Sequence, residues 1–356
     1  MRIISSPAQA FTPTVVALGN FDGIHQGHRQ VIRPVVSSEE IRFSQIELWR
    51  DRSSFFHRLS VNGNQWPERG DSLASNDFVR AESQQSYSTV VTFHPHPQEF
   101  FTGYPRTLLT PLPEKVFQLQ SLTVQQLVLL PFDRELASLT PEQFVEKILS
   151  QQLQAARVSV GQDFRFGQKR AGSADDLRAI AASYGIEVTI VPLQTSGEER
   201  ISSSLIRQSL ESGNLQQANY LLGRPYSFVG SVVRGQQLGR TLGFPTANLQ
   251  LPANKLIPRW GVYAVRVYHT QSAADPETAP TPLLGVMNIG CRPTVEGTAP
   301  TIEIHLLDWS GDLYGQTLIA ELVAFLRPEK KFSSLESLKT QIQADCALTR
   351  EKLLTA

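Results

Sequence analysis

Near Leu222 the chain changes texture, and that change limits its folding more than any other feature. From Thr14 to about Leu222, short β-branched runs alternate with longer stretches of helical period. TVVALG, YSTVVTFHP, QLVLLPF, RVSVG and IEVTIVPL have strand character; TPLPEKVFQLQSL, TPEQFVEKILSQQL and SADDLRAIAASYG have helical character. Thr140 is expected as an N-cap and Gly185 as the C′ residue of a helix. This alternation predicts an α/β, Rossmann-like domain with a parallel sheet. After LLGRPYS, the runs FVGSVVRG, WGVYAVRVYHT, PLLGVMNIG, TIEIHLLDW and LIAELVAFLRP are separated by Gly/Pro loops, with almost no helix before Leu335. That half predicts an antiparallel β-barrel closed by a C-terminal helix. The domains are expected at 1–222 and 223–356, and 356 residues are enough for two cores.

One stretch fits neither half. Residues 36–88 are polar, weakly periodic and longer than a strand–helix–strand connection needs, so they are expected to be a surface insertion, with a lid or docking segment as the alternative. Pro34 is expected to end the preceding helix early. The 33 basic and 33 acidic residues cancel, which gives no electrostatic case for nucleic acid or an anionic membrane as a partner. No apolar run approaches the roughly 18 residues of a membrane span. The N-terminal residues lack the apolar core of a signal peptide, and two cysteines make no disulfide framework. A cytoplasmic location follows as the expectation.

In VALGNFDGIHQGH a strand runs into a Gly-rich turn and then a helix, an arrangement that presents backbone N–H groups to phosphate. Gly19 and Gly23 allow close approach. His25 and His28, at i and i+3, share a face and can each donate to phosphate oxygens; two surface histidines near a turn is the alternative. No lysine precedes Lys115 and none follows a glycine, so a Walker-type loop is absent. Asp163 and Arg165, in GQDFRFG, stand at the carboxyl end of a predicted strand, as ligand groups or as a salt-bridged loop. In ISSSLIR, Ser203 and Ser204 either cap a helix or meet phosphate, and Arg207 adds a charged fork. The alternating histidines of HPHP are poor metal ligands by spacing.

Together, GNFDGIHQGH and ISSSLIR resemble the nucleotidylyltransferases, and VGQDFRFG narrows this to the prokaryotic FAD synthetase module, from Thr14 to Leu222 apart from the insertion. The resemblance implies that His25 and His28 bind ATP phosphates and stabilise the transition state of FMN adenylylation. It implies that Ser203, Ser204 and Arg207 complete the triphosphate cradle, with Ser204 standing where the family often has Thr. Gly19, Phe21, Asp22, Gly23 and Asp163 are then nucleotide contacts. Arg165 and His96, the latter in a Pro-His-Pro loop, line the flavin side. FMN phosphate is already ionised, so this chemistry needs positioning and charge neutralisation rather than a nucleophile–base pair.

The second half carries its own signal. GQQLGRTLGFPTANL places Gly235, Gly239 and Gly243 ahead of Thr246 and Asn248, which alternate on one strand face and offer hard oxygen ligands; a Gly-rich hairpin is the alternative. Glu303 lies between Ile302 and Ile304 in an alternating strand, so its side chain is on the face opposite theirs, as an exposed residue or as a base inside the barrel mouth. GRTLGFPTAN, NIGCRPT, the Glu303 strand, DLYG and LRPEKKF resemble the riboflavin kinase module, from about Gly223 to Leu353. The resemblance implies that Thr246 and Asn248 hold Mg2+ with ATP. It makes Glu303 the general base for the ribityl 5′-hydroxyl, and gives Asn288 and Arg292 a share in the flavin or nucleotide site.

The expectation is therefore a bifunctional enzyme acting on riboflavin, FMN, FAD and ATP, with Mg2+ and no tightly bound structural metal. Self-association, if any, is expected to be weak. Adenylyl or cytidylyl transfer to another acceptor, a flavin-binding regulator without catalysis, and a nucleic-acid-binding barrel are the rivals. GFPTAN with Glu303 counts against the first, the intact His25, His28, Asn248 and Glu303 against the second, and the zero net charge against the third.

Overall fold

The computed structural model describes residues 1–36, 86–197, 199–235, 239, 242–269, 281–294 and 297–354, and no side chain from 292 to 299. The insertion expected at 36–88 falls almost wholly outside the described residues. The described chain forms two compact units, one up to Ile201 and one from Ser202 onward.

In the first unit, β1 (Arg2–Ile4), β2 (Thr14–Leu18), β3 (Tyr87–His94), β4 (Gln126–Pro131), β5 (Ala155–Gly161) and β8 (Glu187–Val191) form a sheet of order β1-β4-β3-β2-β5-β8. Every pairing in it is parallel. Val16, Leu18, Val90, Val91, Leu127, Val128, Val158 and Val160 are buried. Consecutive residues such as Val90 and Val91 point to opposite faces, so both faces of the sheet are covered, which explains the unbroken β-branched runs. Two small ribbons, β6 (Arg165–Phe166) with β7 (Gly172–Ser173) and β9 (Thr195–Ser196) with β10 (Glu199–Arg200), lie outside this sheet.

Helix boundaries follow local chemistry. After α1 (Gln26–Ile32), Pro34 opens a short 3-10 turn over Arg33–Val35, because a residue without an N–H cannot extend the α-helical ladder. Helices α2 (Pro97–Thr102), α3 (Leu112–Gln120) and α4 (Arg134–Ser138) follow. Thr140 caps α5 (Pro141–Phe144): its hydroxyl accepts from Gln143 N at 3.2 Å and Gln143 returns a bond to Thr140 N at 3.0 Å. The chain continues as a π turn over Val145–Gln152. Ser173 and Asp176 make the same reciprocal cap on α6 (Ala174–Ala182). Gly185 takes a φ of 70°, two positions past the C-cap Ser183 rather than one.

The second unit opens with α7 (Ser203–Ser212) and α8 (Leu215–Leu222), so the sequence boundary at 222/223 falls where Gly223 ends α8 at a φ of 69°. Asn219 ties α8 to the strands, donating to Leu322 O at 2.9 Å and accepting from Tyr226 N at 2.7 Å. Strands β11 (Tyr226–Val233), β12 (Ala247–Gln250), β13 (Gly261–His269), β14 (Leu283–Thr294), β15 (Gly297–Leu306) and β16 (Thr317–Arg327) close an antiparallel barrel of order β11-β12-β15-β14-β13-β16. Phe228, Tyr263, Val265, Met287, Ile304 and Leu322 are fully buried and fall on one face by register, which makes that face the barrel interior.

The last helix, α9 (Leu335–Leu354), covers part of the outside, where Val262, Val286 and Leu307 pack with Ile342 and Cys346. Arg327 locks it down: Nε donates to both Asp345 carboxylate oxygens at 3.0 and 3.1 Å, and Nη2 reaches Oδ2 at 2.8 Å. Gln341 adds a donor at 3.0 Å. No helix among the described residues is long and apolar enough to cross a membrane. Asp345→Ala leaves a guanidinium that is only 20% exposed without its partner. The expected cost is about 3 kcal/mol, read as a lower urea midpoint for the second unit at unchanged m-value.

Candidate active sites

In the first unit the strand order reverses at β2, with β3 and β4 on one side and β5 and β8 on the other. All carboxyl ends of a parallel sheet meet at one edge, and a crevice opens where the order reverses. Gly19 to His25 leave β2 there. Phe21, Gly23 and Ile24 all have positive φ, at 48°, 96° and 42°, a backbone path that only surrounding contacts can hold. Phe21, Asp22 and Ile24 are buried.

His25 is the N-cap of α1, and its Nδ1 accepts the His28 N–H at 3.2 Å. An imidazole that accepts at Nδ1 carries its proton on Nε2 when neutral, the form that donates outward from the helix start. The His25 and His28 rings stack at 3.6 Å with 16° between planes, and Phe21 meets His28 edge-on at 5.4 Å. Gly27 makes this fit possible, since a Cβ there would stand 3.2 Å from His25 Cε1 and 3.3 Å from Nδ1. The two histidines singled out by spacing thus form one stacked unit.

Beneath them lies a set of bonds that local sequence does not announce. Asp22 Oδ1 accepts from Leu109 N at 2.8 Å and Thr110 N at 3.3 Å, and Gly23 N donates to Thr110 Oγ1 at 2.9 Å. Asp22 therefore braces the loop in this structure. The buried Lys115 donates to Asn20 O at 2.9 Å and faces Thr92 Oγ1 at 3.5 Å. Lys115 is the only lysine in the first 146 residues, the one sequence signal that could have marked it.

His96 follows β3 at the same edge and caps α2, its Nδ1 accepting from Gln98 N at 3.1 Å. Burial first, then the positive charge of Arg106, pushes its pKa down to about 4, so the ring is neutral at physiological pH. Phe93, Phe100, Phe101 and Phe132 pack edge-to-face at the ends of β3 and β4, with Phe101 70% exposed. This aromatic platform was not foreseen from the sequence. Asp163, just past β5, is ion-paired with Arg200 and remains about half exposed. Arg165 is exposed on the β6–β7 ribbon opposite Ser173. In α7 the capping bond belongs to Ser202, which accepts from Leu205 N at 3.2 Å, so Ser203 and Ser204 occupy the first turn, with Arg207 one turn on.

In the second unit, Asn248 of β12 is paired with Glu303 of β15, and Glu303 with Asn288 of β14. Residues directly opposite across strands share a face, so Asn248, Glu303 and Asn288 form one row. Ile302 and Ile304 occupy the interior, which puts Glu303 on the outer face of the barrel. All three polar residues are half-buried. A Cβ at Gly235 would collide with the Asn248 amide, and one at Gly290 with the Glu329 carboxylate, so two glycines admit polar side chains to this region. Glu329, in the LRPEKKF loop, was not singled out beforehand.

Thr246, at the entry to β12, is half-buried. A Cβ at Gly239 would collide with Phe244 O and stand 3.3 Å from Thr246 Cγ2, while most of 236–241 and the Arg292 side chain lie outside the described residues. A cavity of about 560 Å³ adjoins the Gly243–Pro245 turn, bounded by His305, Trp309, Cys346 and Arg350. Its outer wall is fixed by His305 Nδ1 against Pro245 O at 2.9 Å and by the Arg350–Asp308 ion pair at 2.9 Å. Among the described residues no three His, Cys, Asp or Glu side chains gather as a metal-binding group.

Comparison with known proteins matches both units. A family model described as FAD synthetase aligns with residues 8–46 and 72–205, and one described as riboflavin kinase with residues 222–353. A bifunctional riboflavin kinase/FMN adenylyltransferase of Escherichia coli (strain K12) is 36% identical over 338 residues, 95% of this chain and 92% of that protein. The protein of the same name from Bacillus subtilis (strain 168) is 33% identical over 93% of this chain and 90% of its own. A Streptococcus pneumoniae crystal structure described as a macrolide-efflux protein superposes with a TM-score of 0.74 at 27% identity, covering 98% of each chain. Relatives of this identity along nearly the whole chain, with one family model on each half, show that the protein belongs to the bifunctional riboflavin kinase/FMN adenylyltransferase family.

Proposed function

We propose that the two units work in sequence: the barrel converts riboflavin and ATP to FMN and ADP, and the α/β unit converts FMN and ATP to FAD and pyrophosphate. The observation that carries the kinase half is the lateral row Asn248–Glu303–Asn288, a carboxylate flanked by two amides on one strand face. Glu303 takes the proton of the ribityl 5′-hydroxyl as that oxygen bonds to the γ-phosphorus, and the bond to the β–γ bridging oxygen breaks to release ADP. Thr246 and Asn248 would hold a divalent cation, Mg2+ in this reading, and such an ion would neutralise charge on the transferring phosphate. Their hard oxygens, and the space that Gly235 leaves for the Asn248 amide, suit that role. Asn288, with Arg292, orients flavin or nucleotide. The cavity beside Gly243–Pro245 has the volume of a small-molecule site.

In the α/β unit an FMN phosphate oxygen attacks the α-phosphorus of ATP, and the α–β bridging oxygen leaves with pyrophosphate. No proton needs to be removed from the nucleophile. The stacked His25–His28 pair, rigid before substrate arrives, supplies donors to the triphosphate. Gly19, Phe21, Asp22 and Gly23 shape the loop that carries the pair, and Asp163 meets the nucleotide. His96, Arg165 and the Phe100–Phe101–Phe132 platform take the flavin ring, since exposed aromatic faces suit a planar heterocycle. We place the functional boundary at 222/223 and the enzyme in the cytoplasm, where riboflavin and ATP are both at hand.

His28→Ala is expected to lower FAD formation from FMN by about 100-fold or more while riboflavin phosphorylation persists. Glu303→Gln is expected to lower FMN formation by about 100-fold or more while FMN supplied directly is still adenylylated. Loss of both activities in either folded variant would overturn separate sites. With riboflavin, ATP and Mg2+, chromatography over time should resolve FMN first and FAD after it; FMN accumulating alone would remove the adenylyltransferase half of the reading.

A further inference from the structure

Of the groups left over by this mechanism, Lys115 stands out, because it is a charged side chain sealed under the loop that presents His25 and His28. It lies in α3, 95 residues along the chain from the carbonyl it serves, and is almost wholly buried. An unpaired ammonium costs far too much to bury for packing alone, so its hydrogen bonds must matter. Those bonds go to Asn20 O, at 2.9 Å, and Thr92 Oγ1, at 3.5 Å. Thr92 in turn donates to the same Asn20 carbonyl at 3.0 Å. Two donors therefore converge on one backbone oxygen immediately before the left-handed run of Phe21, Gly23 and Ile24.

We infer that Lys115 is a positioning residue for adenylyl transfer: its buried side chain, holding the Asn20 carbonyl, fixes the Gly19–His25 loop and with it the His25–His28 pair. This rests on the adenylyl-transfer reading of the histidine site. The charged or titratable groups that interact with Lys115 are Asp22, from the loop above, and His96, the N-cap of α2. Asp22 favours the ammonium, but burial outweighs it and brings the pKa down from 10.5 to about 8.

Linkage gives the direction in which pH acts on this group. A lysine whose folded pKa is depressed is charged in both states below pH 8, so it contributes no pH dependence there. As pH rises from about 8 to 10.5 the folded chain gives up the proton first, and through this group the fold becomes more stable, not less. The same sign holds for opening the loop over Lys115, so raising the pH does not by itself free that loop.

The test compares the full-length wild type with Lys115→Arg and Lys115→Met, following FAD formation from FMN and ATP from well below to well above pH 8, with riboflavin phosphorylation as the internal control. Amide hydrogen exchange across residues 19–25, relative to β4 and β5, reads the loop directly. The wild type should keep its loop protection as the pH passes about 8. Lys115→Arg keeps a buried donor, so it should retain more adenylylation and more loop protection than Lys115→Met. Lys115→Met should form FAD about 100-fold more slowly, with protection of 19–25 lost while β4 and β5 stay protected. Wild-type loop protection in Lys115→Met, or no difference between Lys115→Arg and Lys115→Met, would overturn the inference. If the wild type makes no FAD while loop protection still follows Lys115, the adenylyl-transfer reading fails and the hold stands.

Discussion

A backbone that turns left-handed at Phe21, Gly23 and Ile24 is not stable by its own torsions; non-glycine residues in that region cost of order 1–3 kcal/mol each. It persists because Asp22, Thr110 and Lys115 close a ring of bonds around it, all of them to partners nearly ninety or more positions away. The conformation gains nothing for folding and aims two imidazoles at the open edge of the sheet. Strain concentrated at one turn and offset by distant partners is what pre-organisation looks like in covalent terms.

The barrel reaches the same end by register. Alternation along β15 puts every second residue inside, and lateral pairing carries Glu303's face across to Asn248 and Asn288. Each position is set by its neighbours' hydrogen bonds, so a slip of one residue would bury Glu303 and expose Ile302. The hydrophobic interior thereby fixes the polar row on the outside. The row further continues from Asn288 to Val262, which α9 covers, so the helix limits how far the polar face extends.

Much of this was legible in the sequence where the signal is local. The parallel strands, the Thr140 cap, the barrel strands and the pairing of His25 with His28 follow from runs or spacings within ten residues. The three-residue β1 was missed because RII is too short to show a period. Lys115 was missed because its meaning depends on Asn20, and no window holds both. The face of Glu303 was legible from its isoleucine neighbours, whereas the interior side follows only once the barrel closes. The aromatic platform joins Phe93, Phe100 and Phe132 from three elements, a meeting that only the fold creates.

The two architectures also differ in how they end. A closed barrel has no unpaired strand to offer another chain, while an open sheet has two. Here one border of the open sheet is β1, with three residues, and the other is β8, where Glu187 is paired with Arg157 beside it. A border three residues long presents almost no template for intermolecular strand addition, and a charged one disfavours it. The first unit can thus keep a sheet whose interior strands are mostly buried without inviting sheet-to-sheet growth between molecules.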